Sequence, residues 1–443
     1  MRSRIRRSIG WATALMFVFV AACGDALDIT DPDIVTPENL DSPTGVATLV
    51  AGAKGDLALA LDGTGAGHGS TPGIFHYNGT LSDEFNYTGT FPTRIEVDQR
   101  SIRENNSETG EAYFNLHRAR AAAERAASAV QENLDPSEDS RFAEMKALEG
   151  FTYVAFGETF CSGVPFSRAA ESGEIEFGQP QTTDEMFQGA VQRFDAALGQ
   201  TAGSATAENL ARVGKARALL DLAQFQEAGQ VAGPVPTDFT YLMEHSGATL
   251  FQSNALHTLS TVRKQYSIAD TKGGNGLPYR SANDPRVPWE RTPGEVGQDD
   301  QSPYFNQLKY TSPDASTVLA SGVEARLIEA EAALQGSGKG GAFETLHNDL
   351  RAREGLDPVE TDTMSMQEAT DFHFRERAFW MWATGHRLGD MRRLVRQYGR
   401  PADQVFAVGN YPKGGQYGAD VTVPVPLEEQ NNPNFESCLD TGA

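Results

Sequence analysis

Apolar residues recur along most of this chain at helical spacing, in pairs of segments joined by short polar turns. Across 111–132, Tyr113, Leu116, Ala123, Ala127 and Val130 fall on one face. The stretch NLDPSED then turns the chain, because Pro136 cannot continue a helix. A second amphipathic segment follows through Phe142, Met145, Leu148, Tyr153 and Phe156. The next pair opens at Thr182 with Glu185 three residues on, the spacing of a capping box. Met186, Ala190, Phe194 and Ala197 form its stripe. The run GKARALLDLAQFQEAGQVAG is expected to carry Ala216, Leu220, Ala223, Phe225 and Ala228 along one further helix. A third pair lies in VEARLIEAEAALQGSGKGGAFETLHNDLRAREG and turns at 336–341. A fourth runs from Met366 to Tyr398 and breaks near Gly385.

Small residues stand where neighbouring helices must approach closely, and an aromatic fills each gap. The pattern predicts a mainly α fold of about four tetratricopeptide-like hairpins, whose units stack because none buries its apolar face alone. Residues 61–103 and 234–320 differ: they are rich in Gly, Pro, Asn, Ser and Thr and carry many of the aromatics. They read as long irregular loops, the working surface on a helical scaffold.

The N-terminus changes the setting. Arg2, Arg4, Arg6 and Arg7 precede the apolar segment 9–20, the layout of a secretory signal. That segment falls short of the about 20 apolar residues a spanning helix needs. Val20-Ala21-Ala22-Cys23 resembles the bacterial lipobox, so residues 1–22 read as a lipoprotein signal peptide and Cys23 as the lipidated first residue. Two or more acyl chains hold a protein stably on a membrane. Residues 23–43 then read as a tether, and 44–443 as a single domain.

Composition is that of a globular protein, with 39% hydrophobic and 22% charged residues. Loss of the four signal arginines takes the formal charge from −23 to −27. A surface that acidic repels phosphate backbones and argues against nucleic acid as a partner. Three cysteines become two once Cys23 carries lipid. Outside the cytoplasm Cys161 and Cys438 are expected to pair, the alternative being two buried thiols.

The C-terminal third is the most telling. RERAFWMWATGHRLGDMRRLVRQYG, followed by YGADVTVPVPLEEQNNPNF, resembles the end of the SusD/RagB family of nutrient-binding outer-membrane lipoproteins. The matching elements are Arg375-Glu376-Arg377, Gly385-His386-Arg387, Asp390-Met391-Arg392-Arg393 and residues 424–434. LSDEFN, EMKALEGFTYVAFGETFCSGVPFS and LIEAEAAL with LHNDLRAREGL match in the same order, as does the lipobox. The resemblance implies a SusD-like helical-repeat fold and a SusC-like, TonB-dependent outer-membrane transporter as partner. It also implies a lipid-anchored place on the outer membrane, facing the cell exterior, and Arg377, Gly385, His386, Arg387, Asp390 and Arg392 as residues that hold the fold together. Their own chemistry points the same way: arginines among acidic neighbours predict a buried or half-buried ion network that fixes geometry, the alternative being an anion-binding arginine cluster.

Chemistry of other kinds is thin. GTGAGHGS and GSGKGG lack the Gly-Lys-Ser/Thr ending of a phosphate loop. Eight histidines are scattered, and the pair His68 and His76 falls short of a zinc site, so neither metal nor cofactor is expected. Asp83 and Glu84 read as loop ties rather than glycosidase carboxylates, which must stand across a sugar ring. Aromatics remain. Sugar rings present an apolar C–H face that stacks on aromatic planes, with hydroxyls that want Asn, Asp and Arg. The ligand-contacting candidates are Trp289, Tyr87, Tyr77, Phe85, Tyr279 and Tyr304, with Trp289 foremost because Arg286, Glu290 and Arg291 flank it. The expected function is non-catalytic capture of an oligosaccharide or other nutrient. The alternatives are a helical-repeat scaffold for envelope assembly and a glycan hydrolase.

Overall fold

The structure, a computed structural model, describes residues 42–66, 71–169 and 174–443. The expected signal peptide, Cys23, nearly all of the expected tether and His68 lie outside the described residues. Helix α1 (Pro43–Asp62) starts behind Ser42, whose hydroxyl oxygen accepts from the Gly45 N–H at 3.1 Å. Two short helices follow, α2 (Ile74–Leu81) and α3 (Pro92–Asp98). Then comes the long α4 (Ser107–Asn133), capped by Asn106, which accepts from the Glu108 and Thr109 N–H groups at 3.1 and 3.2 Å. It packs against α1 and against α5 (Arg141–Thr159). The capping box forms as expected at α6 (Thr183–Leu198): the Glu185 N–H reaches Thr182 Oγ1 at 3.2 Å, and the Thr182 N–H reaches Glu185 Oε2 at 2.7 Å.

Close helix approach has a visible cause. Phe194 of α6 lies against Gly150 of α5 and Gly214 of α7 (Ala205–Asp221). A Cβ would stand 2.8 Å from the ring at the first and 2.3 Å at the second, so only glycine admits the phenyl group at either place. The single helix expected through Ala216 and Ala228 is broken. Ala223 takes a left-handed φ of 58°, and α8 (Phe225–Ala232) turns back onto α9 (Gly322–Gly336). Helix α10 (Ala342–Arg353) completes that hairpin. The last pair, α11 (Met366–Trp380) and α12 (Arg387–Arg396), meets through Arg377 and Asp390, 3.0 Å apart, while α11 also packs on α9 and α12 on α2 and α5.

The two irregular regions are more ordered than their composition predicts. Within 61–103 lie α2, whose eight residues are all buried, and the strand Phe85–Tyr87. That strand pairs antiparallel with Tyr266–Ile268 of the second region, Phe85 opposite Ile268 and Tyr87 opposite Tyr266. A second antiparallel ladder joins Thr240–Met243 to Thr317–Ser321, and a third joins Trp289–Glu290 to Asn306–Gln307. Buried charges tie these segments together. The ammonium of Lys272 donates to Asp98 Oδ1 at 2.6 Å and to the Phe85 carbonyl at 2.9 Å, while Tyr411 donates to Asp98 Oδ2 at 2.8 Å. Cys161 and Cys438 are disulfide-bonded, Cα atoms 6.0 Å apart, joining the end of α5 to the C-terminal tail.

The arginine-rich motif forms a buried network. Arg377 Nε lies 3.0 Å from Asp390 Oδ2; Arg393 spans Asp390 and Glu331 at 2.9 and 2.6 Å; His373 Nε2 meets Glu331 at 3.0 Å. Arg392 differs, donating instead to the Gly157 and Phe160 carbonyls at 2.6 and 3.3 Å. His386 Nε2 sits 2.9 Å from Arg217 and 3.1 Å from Glu324. Gly385 has φ +79°, and its carbonyl accepts from Asn78 at 3.0 Å.

Candidate functional site

Five of the six aromatic candidates are core residues. Tyr77, Tyr87, Phe85, Tyr279 and Tyr304 are each no more than 2% exposed, so none offers a face to a sugar. Their polar neighbours are engaged within the protein: Asn78 holds Gly385, Asp83 holds Arg387 and Tyr279, and the Tyr304 hydroxyl donates to the Ser260 carbonyl at 2.5 Å. Trp289 alone of the six is half-buried, its ring edge-on to Phe305 with centres 5.7 Å apart. His76 is fully buried, its pKa lowered to about 3 by desolvation and by the Arg94 charge.

A groove of about 690 Å³ opens elsewhere in the second irregular region. One wall is α1, with Lys54 and Ala58; another is the start of α5, with Glu144 and Leu148; Tyr241 and Leu242 of the strand Thr240–Met243 and the turn that follows form the rest. Its size lies within the range of about 300–1,000 Å³ usual for small-ligand sites. Phe251 stands on its rim 74% exposed, with Leu250 beside it at 60% and Leu242 at 46%. No other aromatic among the described residues is so open. The turn that carries it is anchored: the Thr64 hydroxyl donates to the Leu250 carbonyl at 3.1 Å, Ser253 donates to the same oxygen at 2.9 Å, and the Ser246 N–H closes onto Gln252 at 2.9 Å. With the backbone of the turn already fixed, contact with a ligand would have to order only the ring itself.

Polar groups line the same groove. Glu144 Oε1 accepts from the Tyr241 hydroxyl and from Lys54, both at 2.7 Å. Burial first, and then the Glu144 carboxylate, raise the Tyr241 pKa above its ordinary value. Glu244, Ser246 and Gln252 line the same groove. Beneath it, His245 Nε2 lies 2.9 Å from Asp62, a carboxyl whose pKa burial raises and the histidine partly restores. Carboxylate, ammonium, hydroxyl and amide around an apolar rim suit a ligand with many hydroxyls and one apolar face. The run GATLFQS does hold a signal for this site: an apolar pair with no helical or strand partner inside a polar turn. Among the described residues no three His, Cys, Asp or Glu side chains gather so as to hold a metal ion, and no helix is long and apolar enough to cross a membrane.

No protein-family model and no curated protein sequence matches the chain. Solved structures do. A SusD superfamily protein from Parabacteroides distasonis superposes with a TM-score of 0.67 at 14% identity, covering 91% of this chain and 99% of the other. Surface glycan-binding protein A from Bacteroides uniformis gives 0.67 at 14%, covering 89% and 99%. A SusD-like carbohydrate binding protein from Bacteroides vulgatus gives 0.65 at 14%, covering 88% and 97%. Likeness over nearly the whole length of each partner, at so low an identity, is a likeness of architecture: the chain has the SusD-like fold.

Proposed function

We propose that the chain is a SusD/RagB-type lipoprotein that captures a saccharide without altering it and delivers it to a SusC-like, TonB-dependent transporter in the outer membrane. The observation that carries this reading is the exposed ring of Phe251 on the rim of a polar groove, on a fold shared with proteins described as glycan- and carbohydrate-binding. The lipobox at Cys23 supports an acyl anchor, and the SusD-like body outside it supports a place on the exterior face. Titration of the mature protein with a panel of neutral and acidic oligosaccharides tests capture, and chromatography of the products tests the absence of turnover. Purification of the tagged lipoprotein from its own membranes is expected to bring down a barrel transporter. Recovery of envelope-assembly factors in its place, or release of shortened glycans, would refute the reading.

A further inference from the structure

Most described arginines of this acidic chain pair with carboxylates; Arg280 and Arg291 are among those that do not. Among the described residues neither guanidinium forms an ion pair, and Arg280 Nε is buried without a hydrogen-bond partner. Both rest on one ring, their Cζ atoms 3.5 and 4.7 Å from the centre of Phe305. Trp289 meets Phe305 from the side at 69°. The nearby acids are already engaged. Asp270 Oδ1 accepts from the backbone N–H groups of Arg280 and Ser281 and from the Ser281 hydroxyl, each at 3.1 Å. Glu290 accepts from Asn306 at 3.0 Å, and Asp284 and Glu376 both hold Arg286, at 2.7 Å. Burial, together with the Arg291 charge, disfavours the charged form of Arg280, against the pull of Asp270. Two cations rest on one aromatic ring outside any ion pair, the Asp270 carboxylate only partly offsetting the charge of Arg280.

We propose that this patch is a saccharide subsite for a uronic acid. The apolar face of the sugar rests on Trp289, and its carboxylate accepts hydrogen bonds from Arg280 and Arg291. A planar carboxylate matches the donor fork of a guanidinium, which a neutral hydroxyl does not. The patch is distinct from the Phe251 groove, and the proposal rests on the glycan-capture reading for the sugar ring itself.

The test uses the mature chain and trisaccharides of galacturonate, glucuronate and mannuronate beside their neutral counterparts, by calorimetry and tryptophan fluorescence. At least one uronate trimer is expected to bind, to shift an emission that Trp289→Phe abolishes, and to weaken as salt rises. Arg280→Gln with Arg291→Gln should lower that affinity by about ten-fold or more while leaving neutral sugars at the Phe251 groove unaffected. Neutral trimers that bind while every uronate trimer stays silent would remove the subsite and leave glycan capture standing. Uronate affinity unchanged in the double variant would also overturn it. Silence from both classes would sink the two readings together.

Discussion

Arg387 grips Asp83 with both donors of its guanidinium edge, Nε at 2.7 Å from Oδ1 and Nη2 at 2.9 Å from Oδ2, across 304 residues of chain. The pair ties the first irregular region to the start of α12, and both groups are buried. The arginine holds the Asp83 pKa below its ordinary value against the desolvation that would raise it. Arg387→Met should therefore strand a buried carboxylate and destabilise the protein by about 3–5 kcal/mol. Adding Asp83→Asn should recover part of that loss, because a neutral amide leaves no uncompensated charge. Urea unfolding of both variants measures it; equal stability of single variant and wild type would show that the pair does not hold the region.

The adjacent carboxyl behaves oppositely. Glu84 accepts from the Ala383 N–H at 2.9 Å through one oxygen, and the other has no partner. Burial raises its pKa to about 8 from an ordinary 4.5, the Asp83 charge adding to the effect. Between those values the folded protein binds a proton that the unfolded chain has lost, so this group's contribution to stability falls as pH rises from about 4.5 to 8. Glu84→Gln removes the titration. The variant should gain on wild type across that window, by up to a few kcal/mol at pH 8. Parallel stability–pH curves would contradict the assignment.

The helices were readable because their cores are periodic: Phe194, which fills the gap between Gly150 and Gly214, belongs to the stripe Met186, Ala190, Phe194 and Ala197 at the spacing of one helix face. Helix α2 was not, since all eight of its residues are buried and a helix with no polar side shows no alternation. The break at Ala223 had no glycine or proline to mark it. The aromatics misled for a related reason. Asn78, Asp83 and Asn86 beside Tyr77, Phe85 and Tyr87 look like a wet surface, yet two of those polar groups serve partners more than 190 residues away, Gly385 at a separation of 307 and Arg387 at 304. Local composition does not record where a side chain's partner will come from. Phe251 carried the reverse pattern, one exposed ring in a short polar turn, and was passed over because it stands outside any aromatic cluster.

The disulfide closes a sequence separation of 277 residues, so its largest effect falls on the unfolded chain. Cys161→Ser with Cys438→Ser is expected to cost about 2–5 kcal/mol and to lower the thermal midpoint. The tail keeps its backbone ties, Cys161 N–H to the Val423 carbonyl and Ser162 N–H to the Asp440 carbonyl, both at 2.9 Å. The native fold should therefore persist in the variant. Reductant should destabilise the wild type and leave the double variant unmoved; equal sensitivity of the two would mean that the bond contributes nothing.

Phe251 separates binding from stability. Because its side chain is mostly in water already, Phe251→Ala removes little buried surface and should change stability by no more than about 0.5 kcal/mol. A sugar stacked on the ring loses its apolar contact, about 1–2 kcal/mol and so roughly five- to thirty-fold in Kd. Glu144→Gln acts on the polar side of the same groove. It takes the charge from the oxygen that holds Tyr241 and Lys54 at 2.7 Å, and should weaken binding of hydroxyl-rich ligands while the ring contact stays. Calorimetry with the saccharide that binds wild type best, alongside thermal unfolding, distinguishes the cases. Loss of affinity in both variants at constant thermal midpoint places the ligand between Phe251 and Glu144. Unchanged affinity in both would move the site away from this groove.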